Sequence, residues 1–275
     1  MMQVFHQEAQ SSVMNLYRKA AALPLDQLPP LPENYEIPQN EPAAIEVHLN
    51  PTAITPAITM RREYDEKAWR INRWIYHRLT EKVDGEIGTL LDGLKKAGLE
   101  EDTVVIFTSD HGNMDASHKL ASKFLFYDES VRVPLIMRYK GVIPAGTTDK
   151  THLISTGLDI LPTAFDYAGI KPPAHLLGKS LRSVAEGRPT NEWRSSVASE
   201  NGWCRMIRSQ RYKYCVYDSG ENRESLVDME NDPGEMRNLA KEHHHKEVLD
   251  KHRQLLKEWA KISGDTEGSK FACNG

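Results

Sequence analysis

Residues 103–108, Thr-Val-Val-Ile-Phe-Thr, are apolar or β-branched without interruption and run directly into Ser109, Asp110, His111 and Gly112. A continuous run of this kind fits a strand covered on both faces, the pattern of a sheet in an α/β protein. The polar residues then fall just past the carboxyl end of that strand, where open α/β sheets bind their ligands. Gly112 lets the backbone turn there without steric penalty.

Neighbouring side chains of an extended chain point to opposite faces, so Asp110 and His111 reach one metal ion only if the strand has ended between them. An oxygen and a nitrogen donor suit a divalent cation, yet two ligands are fewer than any such ion requires. An acidic turn residue beside a solvent-exposed histidine is the plainer account of the bare pair. His118 and Lys123 shift that balance. A cation, a lysine point charge and a histidine able to donate a proton are what a sulfate or phosphate ester site needs. Lys119 competes with Lys123 for the lysine role. A second apolar run, Leu135, Ile136 and Met137, follows at residues 135–137.

Ser109-Asp110-His111-Gly112, a histidine five residues before a lysine, and the run KFLFYDESVRVPLI from Lys123 together resemble the sulfatase family of the alkaline phosphatase superfamily. The first element also occurs in phosphodiesterases and phosphomutases of that superfamily. The pattern Lys-x-x-x-Tyr-acidic-x-Ser-x-Arg-Val-Pro over residues 123–134 is closer to sulfatases. The resemblance implies that Asp110 and His111 are metal ligands and that His118 and Lys123 contact the sulfate ester. Lys123 matches by its spacing to Tyr127, and Lys119 does not. The family metal is calcium; many sulfatases carry Asn where His111 stands, and its nitrogen leaves manganese, magnesium or zinc open. Similar elements continue in Asp159-Ile160-Leu161-Pro162-Thr163, in Gly178-Lys179-Ser180-Leu181, and in SLVDMENDPGEMRNLA over residues 225–240. The implied fold class is α/β: the C-terminal part of an alkaline-phosphatase-like sulfatase sheet domain with a small antiparallel α+β subdomain behind it.

Sulfatases act through a Cys or Ser in a Cys/Ser-x-Pro-x-Arg motif, where the residue becomes formylglycine. None of Cys204, Cys215 or Cys273 has proline two positions on, and no serine does either. The resemblance is therefore to a C-terminal half, with formylglycine and the paired aspartates of the metal site expected in an N-terminal part. Such a chain is expected to be inactive alone, to hold metal weakly, and to associate with that other half. The substrate of the whole enzyme would be a sulfated small molecule or glycan. A phosphodiesterase of the superfamily and a non-catalytic sulfatase-like binding protein are the alternatives.

Taken in order, residues 4–22 read as a short helix, and the segment from Pro24 to Pro42 is too proline-rich for helix or central strand. Leu28, Leu31, Tyr35 and Ile37 predict that it packs as an ordered coil. Apolar residues at Ile71, Ile75, Leu79, Val83, Ile87, Leu90 and Leu94 predict one long amphipathic helix over 65–97, bent at Gly85, with Trp69, Trp74 and Tyr76 packed in a core. A helix over 159–168 has Asp159 as its N-cap. Short alternating runs at 196–199, 204–208, 212–217 and 224–228 predict an antiparallel sheet closed by a helix over 246–262, with a frayed tail from 265. His243, His244 and His245, taken as helical, point about 100° apart and cannot share an ion. The divisions are 1–60 for helix and coil, 61–190 for the sheet domain, and 191–275 for the C-terminal subdomain. A net charge of −4 leaves no basic footprint for nucleic acid. No apolar run approaches the roughly 18 residues of a membrane span. The first ten residues lack the pattern of a secretory signal, which leaves the compartment undetermined. A Cys204–Cys215 bridge stays open, and the strands expected in the N-terminal part would leave behind an exposed sheet edge and apolar face, which predicts poor solubility or oligomerisation.

Overall fold

The computed structural model describes residues 2–48, 57–190 and 192–271. In chain order the elements are α1 (Met2–Ala21), α2 (Ala44–His48), α3 (Ala57–Glu63), α4 (Glu66–Lys96), β1 (Val105–Thr108), α5 (Asp128–Val131), β2 (Leu135–Arg138), α6 (Thr156–Tyr167) and α7 (Arg182–Ala185). Four strands follow, β3 (Val197–Glu200), β4 (Cys204–Arg208), β5 (Tyr212–Tyr217) and β6 (Glu224–Asp228), and then α8 (Lys246–Ser263). The chain divides into two units whose boundaries cross the sequence. One comprises Met1–Ile37, Leu49–Leu99 and Asn113–Ser122; the other comprises Pro38–His48, Glu100–Gly112 and Lys123–Gly275.

In the first unit α4 begins at Asp65, whose carboxylate accepts the Ala68 N–H at 2.8 Å, and ends before Gly98, which takes the left-handed φ of 70° that terminates helices. It runs through Gly85 and Gly88 without interruption. Only its amino-terminal part is covered: Trp69 and Ile71 are buried, Trp74 and Ile75 pack beside Ala20 and Leu28, while Leu79, Val83 and Leu90 are exposed. The four-residue spacing set the helix but not its burial, and Tyr76 is exposed rather than packed in a core. The proline-rich coil is ordered, as its apolar residues require. Leu28 is buried, Leu31 and Tyr35 pack around Trp69, and Arg70 donates to the carbonyls of Leu28 and Pro29 at 2.7 and 2.9 Å. Carbonyls preceding prolines have no ladder to join, and arginine supplies the donors.

In the second unit β1 pairs antiparallel with β2, Val105 opposite Arg138 and Thr108 opposite Leu135. The expectation of a strand buried on both faces fails: Phe107 is 37% exposed and Ile136 60%. A two-stranded ribbon within the described residues has too few neighbours to bury both faces. The second sheet, β3-β4-β5-β6, is antiparallel throughout, and α8 lays Leu249 and Leu256 against Ile207, Tyr214, Val216 and Leu226, with the His252 ring edge-on to Tyr212. Cys204 and Cys215 are both free and buried. The tail is not frayed through Phe271. Asp265 pairs with Arg205 at 2.7 Å, Arg205 lies 4.2 Å over the Phe271 ring, and Phe271 is buried. Residues 272–275, with Cys273, lie outside the described residues.

α6 starts at Thr156 with Ser155 at its N-cap, so Asp159 is inside the helix. Asp159 is no cap but a fully buried anchor. Arg194 grips it with two nitrogens at 2.6 Å, and the N–H groups of Ser155 and Lys179 reach it at 2.8 Å. Thr163 Oγ1 accepts the Leu181 N–H at 2.9 Å, and a Cβ on Gly178 would sit 1.8 Å from the Leu158 carbonyl oxygen. The Asp-Ile-Leu-Pro-Thr and Gly-Lys-Ser-Leu elements are thus two sides of one joint.

Candidate active site

β1 ends at Thr108, so Asp110 and His111 both lie beyond the strand, where alternation no longer separates them. Asp110 Oδ2 stands 3.3 Å from His111 Nε2, and Lys123 Nζ donates a hydrogen bond to that same nitrogen. His111 Nδ1 lies 2.8 Å from the Gly112 carbonyl oxygen. A proton on Nδ1 satisfies that carbonyl and leaves the Nε2 lone pair facing Asp110 and Lys123, the arrangement of a metal-ligating imidazole held by its second nitrogen. The Asp110 carboxylate accepts the His111 backbone N–H at 2.9 Å, and this bond holds its carboxyl below the usual carboxylate range. Its side chain is 82% exposed.

The pattern that follows Lys123 is explained by what holds the loop. Ser130, on α5, is buried; its hydroxyl donates to the Lys123 carbonyl at 2.7 Å and its own carbonyl accepts the Gly112 N–H at 2.7 Å. One serine thereby ties the lysine to the Asp-His turn. A Cβ on Gly112 would lie 2.0 Å from the Glu129 carbonyl oxygen. Gly112 is required by this close approach and not by a left-handed turn, because its φ is not positive.

Beneath α5 lies an ion cluster that the sequence does not disclose. Asp128 Oδ1 accepts from Lys213 Nζ at 2.7 Å and Arg208 Nη1 at 2.6 Å. Lys213 Nζ also meets Glu235 Oε1 at 2.7 Å, and Glu235 Oε2 accepts the Asp128 N–H at 2.6 Å. Burial works against ionised Asp128, but Lys213 and Arg208 outweigh it and hold its carboxyl low. Burial dominates at Glu235 and lifts its carboxyl to about 7. Lys213 is fully buried; burial pulls its ammonium down, and Glu235 and Asp128 together more than reverse this. The acidic residue of the Tyr-acidic-x-Ser pattern and the glutamate of Asp-Pro-Gly-Glu are thus joined through one lysine. A lysine between two tyrosines in a strand was the only local signal of it.

His118 belongs to the first unit, with its side chain wholly buried. Its Nε2 is 3.3 Å from the Asn34 amide nitrogen, its N–H donates to the Asn34 carbonyl at 2.8 Å, and its carbonyl accepts from Arg61 at 2.9 Å. Asn34 and Arg61 were not singled out by sequence reasoning. Lys119 is engaged by Glu36 at 3.1 Å and lies 5.3 Å from the centre of the Tyr35 ring. Asp115, Ala116, His118, Lys119 and Ser122 all take positive φ, between 42° and 78°. Each such residue costs on the order of 1–3 kcal/mol, and runs of them cluster at functional sites.

Comparisons with known proteins identify the family. A family described as Sulfatase matches residues 45–170, and one described as N-sulphoglucosamine sulphohydrolase, C-terminal, matches residues 116–261. The chain is 32% identical over 249 residues to a Delta 4,5-hexuronate-2-O-sulfatase of Bacteroides thetaiotaomicron, covering 86% of this chain and 51% of that protein. An N-acetylglucosamine-6-O-sulfatase of the same organism is 30% identical over 234 residues, covering 78% and 42%. Among solved structures, a 2-O GAG sulfatase superposes with a TM-score of 0.78 at 31% identity, covering 88% of this chain and 54% of that one. The chain spans about half the length of the curated relatives it matches.

Proposed function

Because the chain belongs to the sulfatase family of the alkaline phosphatase superfamily, we propose that it is the C-terminal portion of a sulfate-ester hydrolase acting on a sulfated carbohydrate. The observation that carries this reading is the convergence of Asp110, His111 and Lys123 past the carboxyl end of β1.

The donors present suit a divalent cation. A carboxylate oxygen and an imidazole nitrogen 3.3 Å apart, the second fixed by the Gly112 carbonyl, form one edge of a coordination shell. Calcium is the family's metal, with manganese, magnesium and zinc also admitted by His111. Bound there, the cation would offset charge on the sulfate oxygens and favour ionisation of the attacking hydroxyl. Lys123 supplies a point charge for the transferring group, its backbone fixed by Ser130. The role of His118 at the leaving alkoxide rests on the family resemblance, through its spacing five residues before Lys123.

The attacking group would come from a Cys/Ser-x-Pro-x-Arg segment, converted to formylglycine, which these 275 residues do not contain. The chain alone should therefore leave aryl sulfates intact and need a polypeptide bearing that segment. The substrate class rests on the two relatives, whose names specify sulfates on different sugars, so a carbohydrate sulfate is proposed without its position.

The test is hydrolysis of an aryl sulfate, with an aryl phosphate beside it, by the chain alone and after mixing with a separately expressed N-terminal sulfatase half. Activity on the sulfate only after mixing, abolished in Lys123→Ala, is the expected result. A folded complex without activity would overturn the catalytic reading. Preference for the phosphate would move the assignment to a phosphodiesterase.

A further inference from the structure

The three consecutive histidines do not form a regular helical face. Residues His243–His245 make a single 3-10 turn ahead of α8, and Glu242 stands immediately before it. This brings in a ligand that the sequence pattern omitted. Glu242 Oε2 lies 3.1 Å from His244 Nε2 and 3.6 Å from His245 Nδ1, and among the described residues these three form the one group of such side chains with donor atoms within 4.8 Å of one another. In a tetrahedral shell with bonds of about 2.0–2.1 Å, donor atoms stand roughly 3.3 Å apart. The two observed separations fall on either side of that value.

The surroundings supply an independent reason. Glu242 Oε2 and His245 Nδ1 are buried atoms without a hydrogen-bond partner, an arrangement that costs stability unless something else satisfies them. The other carboxylate oxygen is committed: Arg237 reaches Glu242 Oε1 with Nε at 2.9 Å and Nη2 at 2.6 Å. Arg237 thus turns Oε2 toward the imidazoles, as outer-shell partners of metal ligands do. The His245 ring is set edge-on against Tyr212, with centroids 6.5 Å apart. His244 and His245 also line a cavity of about 340 Å³, which leaves room for water at a fourth position.

We propose that Glu242, His244 and His245 form a second metal site, separate from Asp110 and His111, for a transition-metal ion of the zinc type. Two imidazoles and one carboxylate are the donor set of zinc, copper or nickel; calcium and magnesium take oxygen. His243 takes no part, because it contributes no donor to the cluster.

The experiment is zinc titration of the metal-stripped full chain by calorimetry, in an Asp110→Ala/His111→Ala background so that only this site is counted. Zinc affinity should fall at least about tenfold in His244→Ala and in Glu242→Gln and stay unchanged in His243→Ala. The His244 side chain is 72% exposed, so its removal leaves the fold intact, and a thermal melt checks this. Magnesium should not compete. No zinc uptake in the background, equal uptake in His244→Ala, or an equal loss in His243→Ala would overturn the site.

Discussion

Two carboxylates of the same unit, Asp110 and Asp159, both belong to elements shared with sulfatases, and they live in opposite surroundings. Asp159 is fully buried, its oxygens taken up by Arg194 and by two backbone N–H groups. Asp110 is open to solvent, held by one backbone N–H and the Ser109 hydroxyl, and turned toward an imidazole and a lysine. A carboxylate with all its lone pairs engaged by its own chain has nothing left for a ligand; one with free lone pairs beside an imidazole nitrogen does. The difference separates residues that hold the fold from residues available for chemistry, and each substitution below presses on one side of it.

The largest effect should come from Asp159→Ala. It leaves the largely buried Arg194 guanidinium and two N–H groups without their acceptor, and loss of one member of such a buried pair costs about 3–5 kcal/mol. Chemical denaturation should show a large drop in the unfolding midpoint; an unchanged midpoint would mean that the joint between α6 and Gly178 does not carry load.

Gly112→Ala and Gly178→Ala come next. Each places a methyl group against a backbone carbonyl, at 2.0 Å from Glu129 and 1.8 Å from Leu158. Overpacking against backbone costs about 1–3 kcal/mol, sometimes more. Gly112 lies at the contrast itself, because the loss there should also displace the Asp110–His111 turn. Melting temperature measured with and without added calcium separates the two consequences.

Much of this could be read from the sequence, and the failures have a common cause. The extent of α4, all four strands of the second sheet, and α8 follow from local periodicity, and the motif singles out Asp110, His111 and Lys123, whose side chains lie together. Asp159 reads as a cap in the sequence because its partner Arg194 lies 35 residues away. Lys213 and Glu235 carry little local signal because their partner Asp128 comes from α5, 85 residues before Lys213. The burial of β1 was overestimated, since an apolar run specifies a face to be covered but not what covers it. The tail reads as loose in the sequence because Arg205 and Asp265 are 60 residues apart. Pairings of this kind have no periodic signature.

A smaller, pH-dependent effect is expected at Glu235. Its carboxyl is raised from an ordinary value of 4.5 to about 7, so between those values the folded chain binds more protons than the unfolded one. Stability contributed by this group therefore rises as pH falls from about 7 toward 4.5 and is lost as pH climbs through the raised value. Glu235→Gln cannot titrate, so the stability of the wild-type chain relative to this variant should grow as the pH is lowered across that window. A difference that stays flat with pH would show that Lys213 keeps Glu235 ionised throughout.

The smallest effect on folding should be that of Asp110→Ala. Its side chain is exposed, and the groups it accepts from can turn to water instead. The melting temperature without metal should not move, while any calcium-induced rise in it should disappear, because the Glu242, His244 and His245 donor set does not suit calcium. That combination is what distinguishes a ligand from an anchor: Asp159→Ala should lower stability with or without metal. If Asp110→Ala unfolded the chain as readily as Asp159→Ala, the open carboxylate would be structural after all, and the Asp-His turn would lose its claim to be the part of this unit left over for chemistry.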